Sequence, residues 1–157
     1  MPVFLSFNLI ALYLLFSFVS SEKLKRIIST IWLLGLITGN FWVYPDKVAQ
    51  GWDSTLAHLP YYDLRSDIID YLHKNNIDIR DVGSDFPMTG PFKHLDLSDN
   101  LIAFPDKNFE HQNYILYSNI FNDFSDSQID ELQSNWKVVH RIHRCQVFFI
   151  VYEKRQF

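Results

Sequence analysis

The chain has 157 residues, of which 48% are hydrophobic and 17% aromatic, with a net charge of −4. Lys23, Lys25 and Arg26 against Glu22 make the first 45 residues positive, so the acidic excess lies after them. That excess excludes an electrostatic nucleic-acid binder, and one cysteine, Cys145, excludes an internal disulfide or a Cys-rich zinc site.

The first 45 residues read as two apolar spans, about 3–19 and 27–44, joined by a short basic turn, Ser20 to Arg26. Neither span carries a charge, and each is about the length that a helix needs to cross a hydrocarbon core. A cleaved signal peptide fits poorly: no basic residue precedes Val3, and Phe18-Val19-Ser20 is a weak cleavage site. The spacing therefore predicts a transmembrane hairpin, with the basic turn cytoplasmic and both ends outside. Phe41-Trp42-Val43-Tyr44-Pro45 suits a membrane interface, with proline to stop the helix. Gly35 and Gly39 have the G-x-x-x-G spacing of close helix contact. An outside N-terminus without preceding charge is the arrangement expected of the last two helices of a longer polytopic protein.

Residues 46–157 suffice for one domain. Asp46 to Pro60, broken by Gly51 and Pro60, reads as a turn or short strand and then one helical turn. Asp63 can cap a helix to about Asn75, with Leu64, Ile68, Tyr71 and Leu72 as its apolar stripe. A strand is expected from Ile79 to Ser84, closed by Phe86-Pro87. Turns follow from Met88 to Gln112, with a short strand at Leu101–Phe104, and then a strand at Tyr114–Ser118. Ser125 and Gln128 have capping-box spacing before a helix that buries Ile129, Leu132 and Trp136. Two strands, Lys137–Ile142 and Gln146–Tyr152, form a hairpin through His143-Arg144-Cys145. The run Val147–Val151 is apolar on both faces and belongs at the sheet centre. The fold class expected is two transmembrane α-helices followed by a small extracytoplasmic α/β domain, with helices packed on a mixed sheet.

The most pointed cluster of chemistry-bearing residues is Trp52, Asp53, His58, Tyr61 and Tyr62, a candidate sugar-binding group. Rings stack on the apolar face of a sugar and the acid accepts from its hydroxyls. The ordinary alternative is a packing collar of interfacial aromatics. Asp81 and Asp85 flank Gly83 at a strand end, where carboxylates serve sugars or metals and also make common turns. His140 and His143, three apart on a strand, face opposite sides and do not chelate one metal. No catalytic residue, metal ligand or cofactor is assigned. Arg141, Arg144, Lys154 and Arg155 are candidate contacts for lipid phosphates.

The segments Gln50–Tyr62, Tyr114–Asn119 and Val147–Tyr152, following apolar helices, resemble the C-terminal end of bacterial multi-pass glycosyltransferases of the GT-C type. These are the relatives of protein-mannosyltransferases and aminoarabinose transferases. The resemblance implies a location in the bacterial inner membrane with a periplasmic domain, and a polyprenyl-phosphate sugar as donor. It also implies the lipid bilayer and the remaining helices of the enzyme as partners. The family's catalytic acid lies in an early outer loop that has no counterpart here, so the part expected is non-catalytic. The alternative is a stand-alone membrane-tethered envelope interaction module, docking a partner by its sheet edge or acidic face.

Overall fold

A computed structural model describes residues 2–45, 47–51, 55–95 and 99–155, in two compact units, Met1–Asn40 and Phe41–Phe157. The first is a helical hairpin of α1 (Pro2–Phe18) and α2 (Glu22–Thr38), each 17 residues long. Trp32 Nε1 donates to Asn8 Oδ1 at 2.8 Å between them.

The hairpin corrects the expected fold class. No described helix is long and apolar enough to cross a membrane. At 1.5 Å per residue α1 extends about 25 Å, against the roughly 30 Å of a hydrocarbon core. The reason in α2 is its start. Ser21 caps it, its side chain accepting from Leu24 N at 3.3 Å. Glu22, Lys23, Lys25 and Arg26 thereby enter the helix rather than forming a turn. At the other end the helix tightens into a 3₁₀ turn, Gly39–Phe41, short of the expected Tyr44. The uncharged stretch of α2, Ile27 to Thr38, covers only about 18 Å. The expected placement as an integral protein of a bacterial inner membrane, with an extracytoplasmic or periplasmic domain, falls with the spans.

The second unit contains α3 (His58–Lys74), β1 (Val82–Gly83), α4 (Phe92–Leu95), β2 (Tyr114–Ser118), α5 (Asp126–Asn135), β3 (Trp136–Arg144) and β4 (Val147–Lys154). The sheet order is β1-β2-β4-β3. β1 runs parallel to β2, and β4 lies antiparallel between β2 and β3. Because side chains alternate along a strand, β4 feeds two cores. Val147, Phe149 and Val151 join Leu64, Ile68 and Leu72 of α3 on one face. Ile150 and Tyr152 join Ile129, Leu132 and Trp136 on the other, beneath α5. The sheet is thus the middle layer between α3 and α5.

Local chemistry explains where elements begin. Helix α3 starts at His58 rather than after Asp63. Thr55 Oγ1 accepts from Ala57 N at 3.1 Å, and Pro60 sits in the first turn, where no N–H is needed. Asp63, inside the helix, pairs instead with Arg144. The stretch before β1 is mostly a 3₁₀ turn, Ile79–Asp81, because the Asp78 side chain accepts from Arg80 N at 2.9 Å. Leu101–Phe104 is not a strand. Ile102 N donates to Asn100 Oδ1 and Ile102 O accepts from Phe92 N, both at 2.9 Å, so these backbone groups are used in the loop. In α5 the capping box of Ser125 and Gln128 is formed in both directions. Trp136 is buried as the first residue of β3 rather than the last of the helix. The hairpin turn is Cys145-Gln146, one residue shorter than expected, with Cys145 at φ 51.

Candidate functional site

Two stripes run along α3. Tyr61, Leu64, Ile68 and Leu72 face the sheet and fill the core. Beside them, Tyr62, Arg65, Ser66, Ile69 and His73 recur at the same helical spacing and line a cavity of about 310 Å³. The opposite wall is built from Ile79, Phe92, Asn100 and Ile102. Phe92 N donates to Ile102 O at 2.9 Å and Lys93 N to Asn100 O at 2.7 Å, so the loop and α4 are held as one wall.

Arg65 dominates the electrostatics. The residue is only 3% exposed, and its guanidinium carbon lies 4.4 Å from the centroid of the Phe92 ring. An arginine stays charged under any ordinary condition, so the cavity holds a fixed cation against an aromatic face. Tyr62, Ser66, His73 and Asn100 add hydroxyl, imidazole and amide groups around it. Past His73 the cavity continues into an open groove lined by Asn76, Asp78 and Arg80. There the Arg80 guanidinium, hydrogen-bonded to Asp78, holds that carboxyl down at about 2, helped by the bond from Arg80 N. In return Asp78 raises the pKa of Arg80.

The sequence candidates separate. Trp52 and Asp53 lie outside the described residues. Tyr61 is fully buried, with its hydroxyl donating to Met88 Sδ at 3.0 Å and its ring 5.6 Å from that of Phe149. His58 Nδ1 is 3.2 Å from Thr55 O at the start of α3. Tyr62 alone lines the cavity. Arg65, Ser66, His73 and Asn100 are the cavity-lining residues that sequence reasoning misses. For the three on α3 the one signal is its second stripe; Asn100, in a loop, carries none.

The strand-end carboxylates also part company. Asp81 is exposed in the 3₁₀ turn, whereas Asp85 pairs with Lys107. Lys107 Nζ also donates to Asp123 O at 2.9 Å and lies 4.7 Å from the Phe124 ring centroid. Burial lowers the pKa of this ammonium against the opposing pull of Asp123. These bonds tie the loops beyond β1 and β2 together. His140 and His143 point to opposite faces of β3: His140 pairs across from Val151, on the α3 side, and His143 from Phe148, on the α5 side. No group of three or more His, Cys, Asp or Glu side chains that could hold a metal occurs among the described residues. Of the basic residues near the C-terminus, Lys154 donates to Phe109 O and Glu110 O, and Arg141 lies over the Phe148 ring. Comparison with protein-family models, with curated proteins and with solved structures finds no match to this chain.

Proposed function

We propose that the chain is a non-catalytic part of a glycosyltransferase and holds the sugar phosphate of a lipid-linked donor in the α3 cavity. The observation that carries this reading is the buried Arg65 guanidinium in a cavity edged with Tyr62, Ser66, His73 and Asn100. Guanidinium suits phosphate because its N–H groups match two phosphate oxygens at once. Hydroxyl and amide groups beside it suit sugar hydroxyls, and the Tyr62 ring offers an apolar face. The resemblance to the tail of lipid-linked sugar transferases supports the same ligand class. Titration of glucose 1-phosphate, with glucose as the neutral control, tests it by calorimetry. The phosphate ester should bind, glucose should not, and Arg65→Met should weaken binding at least about tenfold, the loss of one charged contact. Tyr62→Ala, at an exposed position, gives a second variant should Arg65→Met misfold. Equal binding of ester and glucose, or no loss in either variant, defeats the proposal.

A second reading, a stand-alone interaction module, is favoured by the hairpin. Phe7, Ile10, Tyr13, Phe18, Ile31 and Leu34 all stand exposed there, more apolar surface than an isolated helical pair ordinarily leaves to water. It predicts association that rises with concentration in sedimentation velocity and is relieved by Phe7→Ser with Ile31→Ser. Unchanged association in that double variant counts against it.

A further inference from the structure

The α5 side of the sheet carries a second cavity, of about 260 Å³, between α5 and the β3–β4 hairpin. Its lining is aromatic at Tyr117, Phe148 and Tyr152 and aliphatic at Ile129, Val138 and Ile150, and two cations, Lys47 and Arg141, join Gln133 among them. Two backbone irregularities supply those cations. Lys47 sits at φ 69, a left-handed conformation that a long side chain seldom adopts. There its Nζ lies 2.6 Å from Asp130 Oδ1 of α5. On the other wall, a bulge between Val138 and His140 shifts the register of β3. With the extra residue, Val138 and Arg141 stand opposite Tyr152 and Ile150, so both face α5. Without the bulge, residues three apart would face opposite sides. Arg141 then lies with its guanidinium 5.4 Å from the Phe148 ring centroid. Residues held in unusual backbone geometry concentrate where a side chain must be aimed, and here both departures aim a cation at one aromatic cavity.

We propose that this cavity binds a small aromatic anion, a ring bearing one carboxylate, with the ring among Phe148, Tyr117 and Tyr152 and the carboxylate on Arg141 and Lys47. The volume admits one substituted ring and is below the usual range for larger ligands. Arginine offers a bidentate partner to carboxylate, and the aromatic lining rejects a strongly hydrated ion that has no ring. The site lies on the opposite face of the sheet from the α3 cavity, and its success or failure is independent of the sugar-phosphate reading.

Benzoate is the probe, benzamide the neutral control and a short acidic peptide the control for a polypeptide source. Added to the full chain, benzoate should shift the amide signals of Phe148 and Tyr152 in a saturable NMR titration. Benzamide and the peptide should bind at least about tenfold more weakly. Arg141→Met and Lys47→Met should each weaken benzoate about tenfold, and Val138→Trp should block it by filling the cavity. Asp130→Asn is the decisive variant, because it releases Lys47 from its ion pair. Tighter benzoate binding supports the site, whereas a lysine that merely tethers its segment to α5 predicts lower stability with benzoate affinity unchanged. Absence of saturable shifts, equal binding of benzamide, stronger binding of the peptide, or indifference to Arg141→Met and Val138→Trp overturns the proposal. Arg141 and Val138 are exposed, so these two variants should fold.

Discussion

The Arg65 guanidinium lies beneath the surface, covered by Phe92, where the neighbouring α3 positions leave it a cavity rather than a packed wall. Its neighbour in the groove, Asp78, has a carboxyl near 2, and the Arg80 guanidinium is the principal cause. Arg80→Ala should return that carboxyl toward the usual carboxylate range, read by carboxyl-carbon NMR across an acid titration. His140 makes the opposite kind of prediction. Its ring stacks on Tyr71 with centroids 3.8 Å apart, and burial lowers its pKa below 6.5. The unfolded chain therefore takes up this proton first as pH falls. The contribution to stability is complete above 6.5 and is lost as pH drops through the folded-state pKa. Urea midpoints measured from pH 7.5 down to pH 5 should decline, and His140→Phe should flatten part of that slope. Composition and spacing leave Arg65 unseen, since an arginine on a helix reads as surface until Phe92 and the 100–102 loop close over it. Tyr62 is legible as an aromatic near polar partners, but its true partners come from its own helix and a distant loop rather than from Trp52 and Asp53.

Each element is decided by which groups satisfy its backbone ends. The signals that succeed are local: the Ser125–Gln128 box, the stripe Leu64–Ile68–Leu72 and the apolar run of β4. Those that fail depend on a competing bond. Asp78 turns an expected strand into a 3₁₀ turn, and Ser21 draws four charged residues into α2. Ser125→Ala should cost about 1 kcal/mol of stability in urea unfolding, the usual value for losing such a cap. Gly83 in β1 is a sharper case. A Cβ there would collide with the Gln112 side chain, whose Oε1 accepts from Asn108 N at 2.6 Å and whose Nε2 donates to Asp106 O at 3.2 Å. Gly83→Ala should destabilise by about 1–3 kcal/mol, as overpacking does. In a Gln112→Ala background the same change should cost less, a coupling that a double-mutant cycle measures.

For the molecule as a whole, β4 is an inner strand that, like β2, feeds both cores. Leu132→Ala beneath α5 and Ile68→Ala beneath α3 should each cost about 2–5 kcal/mol, because both side chains are buried against it. If the sheet transmits packing between its faces, the double variant will depart from additivity, and thermal unfolding of all three variants decides that. The central position of β4 also has a temporal side. Translation delivers β2 and β3 before it delivers the strand that must lie between them. Until β4 is made, β2 and β3 have no common neighbour. Entry of β3 into the sheet therefore waits on Val147 to Lys154, the one strand that pairs with both flanks.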